Sequence, residues 1–151
     1  MIQTRPLFTL TLDVPRIVEL GATPSGVRRI ATVTGGAFKG ERLSGTVHAA
    51  PGGDWILVRP DGAIVLDVRL TLETNDSQLV YMRYRGLRHG PAEVMARLAK
   101  GEPVDAGSYY FRTTPVFETA SLKYDWLNRI VSVATGRREA TGPVYEVFEL
   151  L

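Results

Sequence analysis

The chain has 151 residues, with 18 Lys and Arg against 16 Asp and Glu, and 44% of its residues are hydrophobic. A chain of this size buries about 68% of its unfolded surface, so one globular domain can form a core without disulfides or metals. The composition excludes collagen, coiled coil and a disordered polymer. The net charge of +2 comes without any run of five or more like charges, so we expect no nucleic-acid partner.

Missing residue types exclude several kinds of chemistry. The chain has no cysteine, which excludes disulfides, iron–sulfur clusters and thiol nucleophiles and fits a reducing compartment. The N-terminus lacks a secretory signal, and no apolar run reaches the roughly 18 residues of a membrane span, so we expect a cytoplasmic protein without a membrane partner. Only His48 and His89 are present, and no phosphate-cradling glycine motif occurs. We therefore expect no metal and no cofactor.

Hydrophobic and polar side chains alternate along most of the chain, which is the pattern of half-buried strands. The alternation is clearest from Ile64 to Leu72, and turn tetrads at Pro51–Asp54 and Arg59–Gly62 separate such runs. The predicted strands cover residues 6–14, 27–34, 42–49, 54–60, 63–73, 78–86, 107–118, 129–135 and 143–150.

One segment has the helical pattern instead. Proline opens the segment from Pro91, Val94 and Leu98 are one helical turn apart, and Gly101 follows the last turn, which predicts a short helix near residues 91–100. One short helix among about nine short strands predicts an all-β fold with a single domain over residues 1–151. We favour a single antiparallel β-barrel of about eight to nine strands over a sandwich, because tight hairpins suit a closed sheet without edges. The helix would then plug one end or cover a seam.

A set of short phrases, in order over nearly the whole chain, is similar to a known family. The phrases are Gly35-Gly36-Ala37-Phe38-Lys39-Gly40, Gly45-Thr46-Val47, Gly52-Gly53-Asp54-Trp55, Leu66-Asp67-Val68-Arg69-Leu70, Tyr110-Phe111-Arg112-Thr113, Phe117-Glu118-Thr119 and Tyr124-Asp125-Trp126-Leu127-Asn128. Together they resemble the uncharacterised protein family 0311, also called domain of unknown function 3237. The resemblance implies a small antiparallel β-barrel that forms a homo-oligomer, with a dimer as the first expectation. It implies no established activity.

Asp54 and Trp55 follow a glycine turn at the start of a predicted strand. In a functional interpretation, Asp54 is an acid or base at the rim of the barrel and Trp55 is a wall of a pocket. In the structural alternative, Asp54 is a turn residue that binds its own backbone and Trp55 belongs to the core. The sequence leaves both interpretations open.

Arg112, Phe117 and Glu118 form a second candidate group near the predicted strand 107–118. The arginine can hold a carboxylate or enolate oxygen, and Glu118 can move a proton. The alternative is an Arg–carboxylate bridge that fixes the strand register, and we slightly favour this structural role.

Two further segments supply candidate ligand contacts. Phe38 lies in the glycine-rich segment 35–40. In one interpretation the backbone amides of this segment bind an anion. We favour the alternative, in which the segment is a turn or bulge that places Phe38 in the core. Trp126 and Asn128 share a face if the chain is extended, so that the ring packs on a flat ligand and the amide orients a carbonyl. The alternative for these two residues is a core tryptophan and a turn asparagine.

Charged residues also alternate in two of the predicted strands. Asp67 and Arg69 share a face opposite the apolar one, and we favour an exterior position for them. Tyr81, Arg83 and Arg85 form a second stripe, followed by Arg88 and His89, and we interpret it as a solvated strand face rather than an anion-attracting one.

These residues favour a barrel that binds a small apolar or aromatic carbonyl molecule. An apolar cavity is walled by Phe38, Trp55, Phe117 and Trp126, with Asn128 at its rim. Any chemistry would be cofactor-free acid–base work of isomerase, cyclase or hydrolase type, with Asp54 or Glu118 as the base and Arg112 as the oxyanion stabiliser. The alternatives are a non-catalytic carrier or sensor, and an oligomeric interaction module whose barrel is filled by side chains.

Overall fold

Eleven strands and one helix make up the fold in a computed structural model that describes all residues 1–151. The strands are β1 (Thr4–Asp13), β2 (Arg16–Thr23), β3 (Gly26–Thr32), β4 (Gly35–Lys39), β5 (Ser44–Val47), β6 (Gly53–Val58), β7 (Ile64–Thr74), β8 (Leu79–His89), β9 (Tyr110–Glu118), β10 (Ser132–Arg138) and β11 (Pro143–Leu150). The helix α1 spans Ala92–Ala99, and 3-10 turns span Ala106–Ser108 and Asp125–Arg129.

Eight of the strands close into an antiparallel barrel, which confirms the predicted fold class. Around the barrel the order is β1, β11, β10, β9, β8, β7, β5 and β4, and β4 pairs again with β1. The long hairpin of β7 and β8 pairs continuously from Ile64 opposite Arg88 to Glu73 opposite Leu79.

The remaining strands, β2, β3 and β6, form a three-stranded arm that branches from the barrel at β7. The first half of β7 pairs with β6, and its last residues pair with β5, both along the same edge. In the arm, β3 pairs with β6 and with β2, and β2 has a free outer edge.

Strands β2 and β4 were not predicted. Strand β2 is exposed along nearly its whole length, so it has no buried face to impose an alternation on its sequence. Strand β4 begins with Gly35 and Gly36, which we interpreted as a turn or bulge. In the structure, β4 pairs with β1 and β5, and a Cβ on Gly36 would lie 2.1 Å from the Thr11 carbonyl oxygen. The glycine therefore permits a close approach of two strands rather than a turn.

Inward-facing side chains fill most of the barrel. The alternating residues of β7 from Ile64 to Leu72 are all buried, as predicted, and Leu10 of β1 is fully buried. Aromatic rings pack beside them, with the Phe8 ring centroid 5.4 Å from that of Phe38 and 5.9 Å from that of Phe117. Each such buried side chain contributes about 1.5–3 kcal/mol of hydrophobic free energy.

The predicted helix near residues 91–100 is present as α1 and connects β8 to β9. Leu98 belongs to the main core, and Val94 and Met95 pack against it, so the helix covers the end of the barrel where β8 ends. No helix in the chain is long and apolar enough to span a membrane.

Candidate functional site

One end of the barrel contains a cavity of about 50 Å³, which we call the barrel-end cavity. It lies where β1, β8 and β10 end and where β7, β9 and β11 begin, and the arm covers its side. Aliphatic and aromatic side chains form most of its wall. The charged and phenolic side chains that reach it are Arg29, Asp54, Tyr84, Arg88, Arg138 and Tyr145.

Asp54 reaches the cavity because β6 and β7 separate locally. The two strands pair at Asp54 opposite Val68 and again at Leu57 opposite Val65, but not between these positions. Within this gap the Asp67 amide donates a hydrogen bond of 3.0 Å to Asp54 Oδ1, so a side-chain oxygen replaces the missing ladder carbonyl. Asp54 is only 9% exposed, and its other oxygen accepts no hydrogen bond from the protein.

Burial dominates the electrostatics of this carboxyl group. Burial raises the pKa of Asp54 from 3.8 to about 6, although the Asp67 amide and the charge of Arg88 act in the opposite direction. The negative charge of Asp67 also raises the pKa of Asp54, and the positive charge of Arg138 lowers it. Near neutral pH the group can therefore both hold and release a proton, which is the property that general acid–base chemistry requires.

Two arginines face Asp54 across the cavity. Arg88 is largely buried with its guanidinium carbon 5.4 Å from the Phe111 ring centroid, and burial and the charge of Arg138 lower its pKa. Its Nε is buried without a hydrogen-bond partner. Neither Arg88 nor Arg138 forms an ion pair within the chain, whereas Arg29 lies 2.8 Å from Glu19.

Two buried tyrosines complete the polar wall. Tyr84 and Tyr145 are each 2% exposed, with ring centroids 5.1 Å apart in an edge-to-face arrangement. Burial raises the pKa of both hydroxyl groups above the usual value, so both are neutral phenols near pH 7. The Tyr84 hydroxyl lies beside that of Tyr145, which contributes to its raised pKa, but forms no hydrogen bond of normal geometry in the chain, so it can still donate to a ligand.

The structure places Asp54 in the barrel-end cavity, deep in the wall rather than at a rim. Trp55 follows it on the strand and therefore points to the opposite face. The Trp55 ring is 38% exposed on the outside, with the Arg69 guanidinium 5.9 Å from its centroid. Trp55 thus does not line the cavity, contrary to its expected place as a pocket wall.

Arg112 and Glu118 lie on the exposed face of β9, outside the barrel. Arg112 donates a 2.9 Å hydrogen bond to the neighbouring carbonyl of Phe111 and stacks 5.1 Å from the Tyr110 ring. Glu118 is at the far end of the strand, about 20 Å away at 3.4 Å per residue. The structure therefore does not bring these two residues together with each other or with Asp54.

The other expected ligand contacts have packing roles away from this cavity. Phe38 is 1% exposed in the core, and Phe117 packs against the same Phe8 ring, so these rings fill the barrel instead of walling a cavity. The Arg42 guanidinium stacks 4.1 Å from Trp126. Asn128 binds the Thr119 backbone in both directions, accepting at 2.8 Å and donating at 3.0 Å.

Sequence reasoning missed Tyr84, Arg138 and Tyr145 as site residues, and it placed Arg88 with a stripe that we interpreted as a solvated face. One available signal was the inward face of β8, where Tyr84 and Arg88 follow the apolar Val80 and Met82 in the same alternation. Asp67 and Arg69 lie on the outer face, the position that we favoured. Arg83 and Arg85 lie beside them on β8.

A family model described as Protein of unknown function (DUF3237) matches residues 2–150. The chain belongs to this family. A relative, a UPF0311 protein of Rhodopseudomonas palustris, is 38% identical over 99% of this chain and 97% of its own. The crystal structure of that conserved protein of unknown function has a TM-score of 0.96 and covers 100% of this chain and 99% of that one. A β-barrel-like protein of Acinetobacter baumannii is 40% identical, with a TM-score of 0.87 and coverage of 100% and 97%.

A more distant structure shares the fold alone. It is described as an enzyme from Penicillium herquei, and it is 19% identical to this chain with a TM-score of 0.74. The match covers 99% of this chain and 95% of that one.

Proposed function

We propose that the barrel-end cavity binds a small carbonyl compound and that Asp54 moves a proton on it without a cofactor. One observation carries the proposal: a buried carboxyl group with a pKa of about 6 shares a largely apolar cavity with Arg88 and Arg138, neither of which has an ion-pair partner. Titratable groups with strongly perturbed pKa values in a concave site are typical of catalytic centres.

The proposed chemistry is proton transfer next to a carbonyl group. Asp54 in its ionised form accepts a proton from the carbon beside the carbonyl, and the electron pair of that C–H bond moves to the carbonyl oxygen. Arg88 and the neutral Tyr84 hydroxyl donate hydrogen bonds to the oxyanion that forms. Asp54 then returns the proton to the same carbon from the other face, or, where a C=C bond is conjugated to the enolate, to the far carbon of that conjugated system as the double bond shifts; either step gives an isomerised product.

General bases of this kind contribute about 10²- to 10⁴-fold to rates, and a single oxyanion donor contributes about 10²- to 10³-fold. The Penicillium herquei enzyme supports the proposal only by analogy, because it shows that a barrel of this fold can have an active site. Its 19% identity carries no residue or substrate over to this chain.

The test is hydrogen exchange at carbon. Protein purified gently is first examined by native mass spectrometry for a retained ligand, and a panel of enolisable carbonyl compounds is then incubated with it in D₂O and followed by NMR. The Asp54→Asn variant should lower the rate of deuterium incorporation at least about 100-fold. Glu118→Gln is the matched control, because Glu118 is an exposed carboxylate on the outer face of β9, and it should leave the rate unchanged. Equal rates in the two variants would refute the assignment of Asp54 as the base.

A homodimer is a second, compatible proposal, and the free edge of β2 supports it. This strand exposes Ile17, Val18 and Leu20 at 39–55% of their surface and leaves its outer backbone groups unpaired. Exposed apolar edge strands readily pair with another copy of the same strand. Light scattering of the protein and of a Val18→Lys variant tests this, since a charge on the edge should shift a dimer to monomer.

A further inference from the structure

The charges around the barrel-end cavity are not balanced. Arg88 and Arg138 contribute two positive charges without ion-pair partners, and Asp54 contributes at most one negative charge. Tyr84 and Tyr145 are neutral phenols, and Arg29 already lies beside Glu19. A buried positive charge without a counter-ion is costly, so the site is suited to a bound anion.

The unused hydrogen-bonding groups also favour an anion. The Nε of Arg88 is buried without a hydrogen-bond partner, and the Tyr84 hydroxyl, in a side chain that is 2% exposed, has only the Tyr145 hydroxyl beside it and no hydrogen bond of normal geometry. A guanidinium group carries only donors, and a phenol near neutral pH is still able to donate. A ligand with two or more acceptor oxygens would satisfy both groups, and bonds from guanidinium to carboxylate are among the strongest hydrogen bonds in proteins.

The size of the cavity limits the ligand. A volume of about 50 Å³ corresponds to three to five water-sized groups, since one such group needs about 10–15 Å³, so a ligand of six non-hydrogen atoms such as pyruvate fills the cavity and extends toward its open side. The aliphatic wall, which includes Leu66 and Val68, leaves room for a short carbon chain between the polar groups. Within this space a carboxylate and a neighbouring carbonyl can contact different arginines.

We infer that the barrel-end cavity binds a short oxo acid, with Arg138 holding its carboxylate and Arg88 holding its carbonyl oxygen. This inference rests on the proposed function and names its substrate class. Arg88 and Arg138 are both partly buried near the ends of β8 and β10, and both line the cavity. The Nε of Arg88 is buried without a hydrogen-bond partner, so we assign Arg88 to the carbonyl oxygen and Arg138 to the carboxylate, where it would select an anionic substrate over a neutral one.

The neighbouring residue offers a matched control. Arg137 points to the outer face, where it binds Glu139 at 2.8 Å and Glu146 at 3.2 Å. The substitutions Arg138→Gln and Arg137→Gln therefore remove the same charge at adjacent positions, one beside the cavity and one outside it.

The experiment measures binding of pyruvate and of its neutral isostere pyruvamide to the full chain by isothermal titration calorimetry in a low-chloride buffer at pH 7.5. Pyruvate should bind wild type about 10- to 100-fold more tightly than pyruvamide, as expected for a hydrogen bond to a charged group. Arg138→Gln should remove this preference by weakening pyruvate alone, and Arg137→Gln should retain it. Inorganic phosphate serves as a second anion. If chloride or phosphate displaces pyruvate and binds as tightly as pyruvate does, the assignment of an oxo acid is overturned.

Equal affinity for the two compounds in wild type, or no binding of either, would overturn the inference without any reference to a variant. An equal loss in Arg138→Gln and Arg137→Gln would do the same for the role of Arg138. The proposed function fails separately. If Asp54→Asn still binds pyruvate but wild type exchanges no deuterium, the cavity is an anion site without proton transfer and only the proposed function fails. If wild type exchanges deuterium into neutral ketones but shows no preference for an anion, the proposed function stands and only the oxo-acid inference fails.

Discussion

Replacing Asp54 with Asn should change how the stability of the protein depends on pH. Burial raises the pKa of Asp54 from 3.8 to about 6 in the folded protein. The folded state thus binds this proton more tightly than the unfolded chain, so the stabilising contribution is fully present below pH 3.8 and is lost as the pH rises through about 6. At about 1.4 kcal/mol per pH unit, the loss amounts to ~3 kcal/mol.

The asparagine variant isolates this effect because it keeps the shape of the side chain and an oxygen that can accept the Asp67 amide hydrogen bond. The other charged groups around the cavity, Arg29, Arg88, Arg138, Asp67 and the two tyrosines, are present in both proteins, so their titration cancels in the difference. The free energy of unfolding of wild type minus that of the variant should therefore fall by ~3 kcal/mol between about pH 3.5 and pH 7. Urea unfolding followed by circular dichroism at intervals of one pH unit measures this difference.

Asp76→Asn is the control, because its carboxyl group is perturbed in the opposite direction. Hydrogen bonds from Lys123, Thr74 and Tyr124 lower the pKa of Asp76, so its contribution to stability is lost only as the pH falls below 3.8. Between pH 5 and pH 8 its difference from wild type should be constant. A flat difference for Asp54→Asn over the same range, or one that rises with pH, would refute the conclusion that burial dominates at Asp54.

Three further substitutions test the packing. Leu70→Ala, at a fully buried position of β7, should lower the free energy of unfolding by about 3–5 kcal/mol in urea titrations, and a loss below about 1 kcal/mol would mean that the barrel collapses around the site. Gly45→Ala would place a Cβ 1.9 Å from the Glu73 carbonyl oxygen, so it should lower the free energy of unfolding by more than ~2 kcal/mol in the same assay. Thr46→Ala, at the exposed neighbouring position, is the control and should change the free energy of unfolding by no more than about 0.5 kcal/mol. Asn128→Ala removes both hydrogen bonds to the Thr119 backbone. Hydrogen exchange of the Thr119 amide should therefore become faster, about tenfold for each 1.4 kcal/mol of local stability lost. An unchanged exchange rate would show that other contacts hold this loop.

The barrel could be predicted because its buried strands have one apolar and one polar face. The residues of β7 show this pattern over the whole strand, and the five inward positions are all buried. Strand β2 could not be found in this way, because an edge strand with both faces exposed is under no such constraint. Strand β4 was missed since two glycines indicate a turn unless the neighbouring strands are known, and their close approach becomes visible only in three dimensions.

The candidate site was less predictable than the fold. Alternation tells which face of a strand a residue occupies, and it separates Asp54 from Trp55 once one of them is known to be inside. It does not tell which strands are neighbours or where they end. Arg88, Arg138 and Tyr145 come from β8, β10 and β11, and they meet Asp54 only because the sheet closes and these strands share one end of the barrel.

Phe38 and Phe117, which we expected as cavity walls, pack away from the barrel-end cavity for a physical reason. A barrel of eight strands is just wide enough for its own side chains to fill, so inward aromatic residues such as Phe8, Phe38 and Phe117 complete the packing. The barrel-end cavity lies where charged side chains enter the interior, and guanidinium and carboxyl groups do not pack as hydrocarbons do and keep a need for polar partners. In this barrel, the inward-facing charges of Asp54 and Arg88 therefore mark the barrel-end cavity, whereas the packed rings of Phe38 and Phe117 do not.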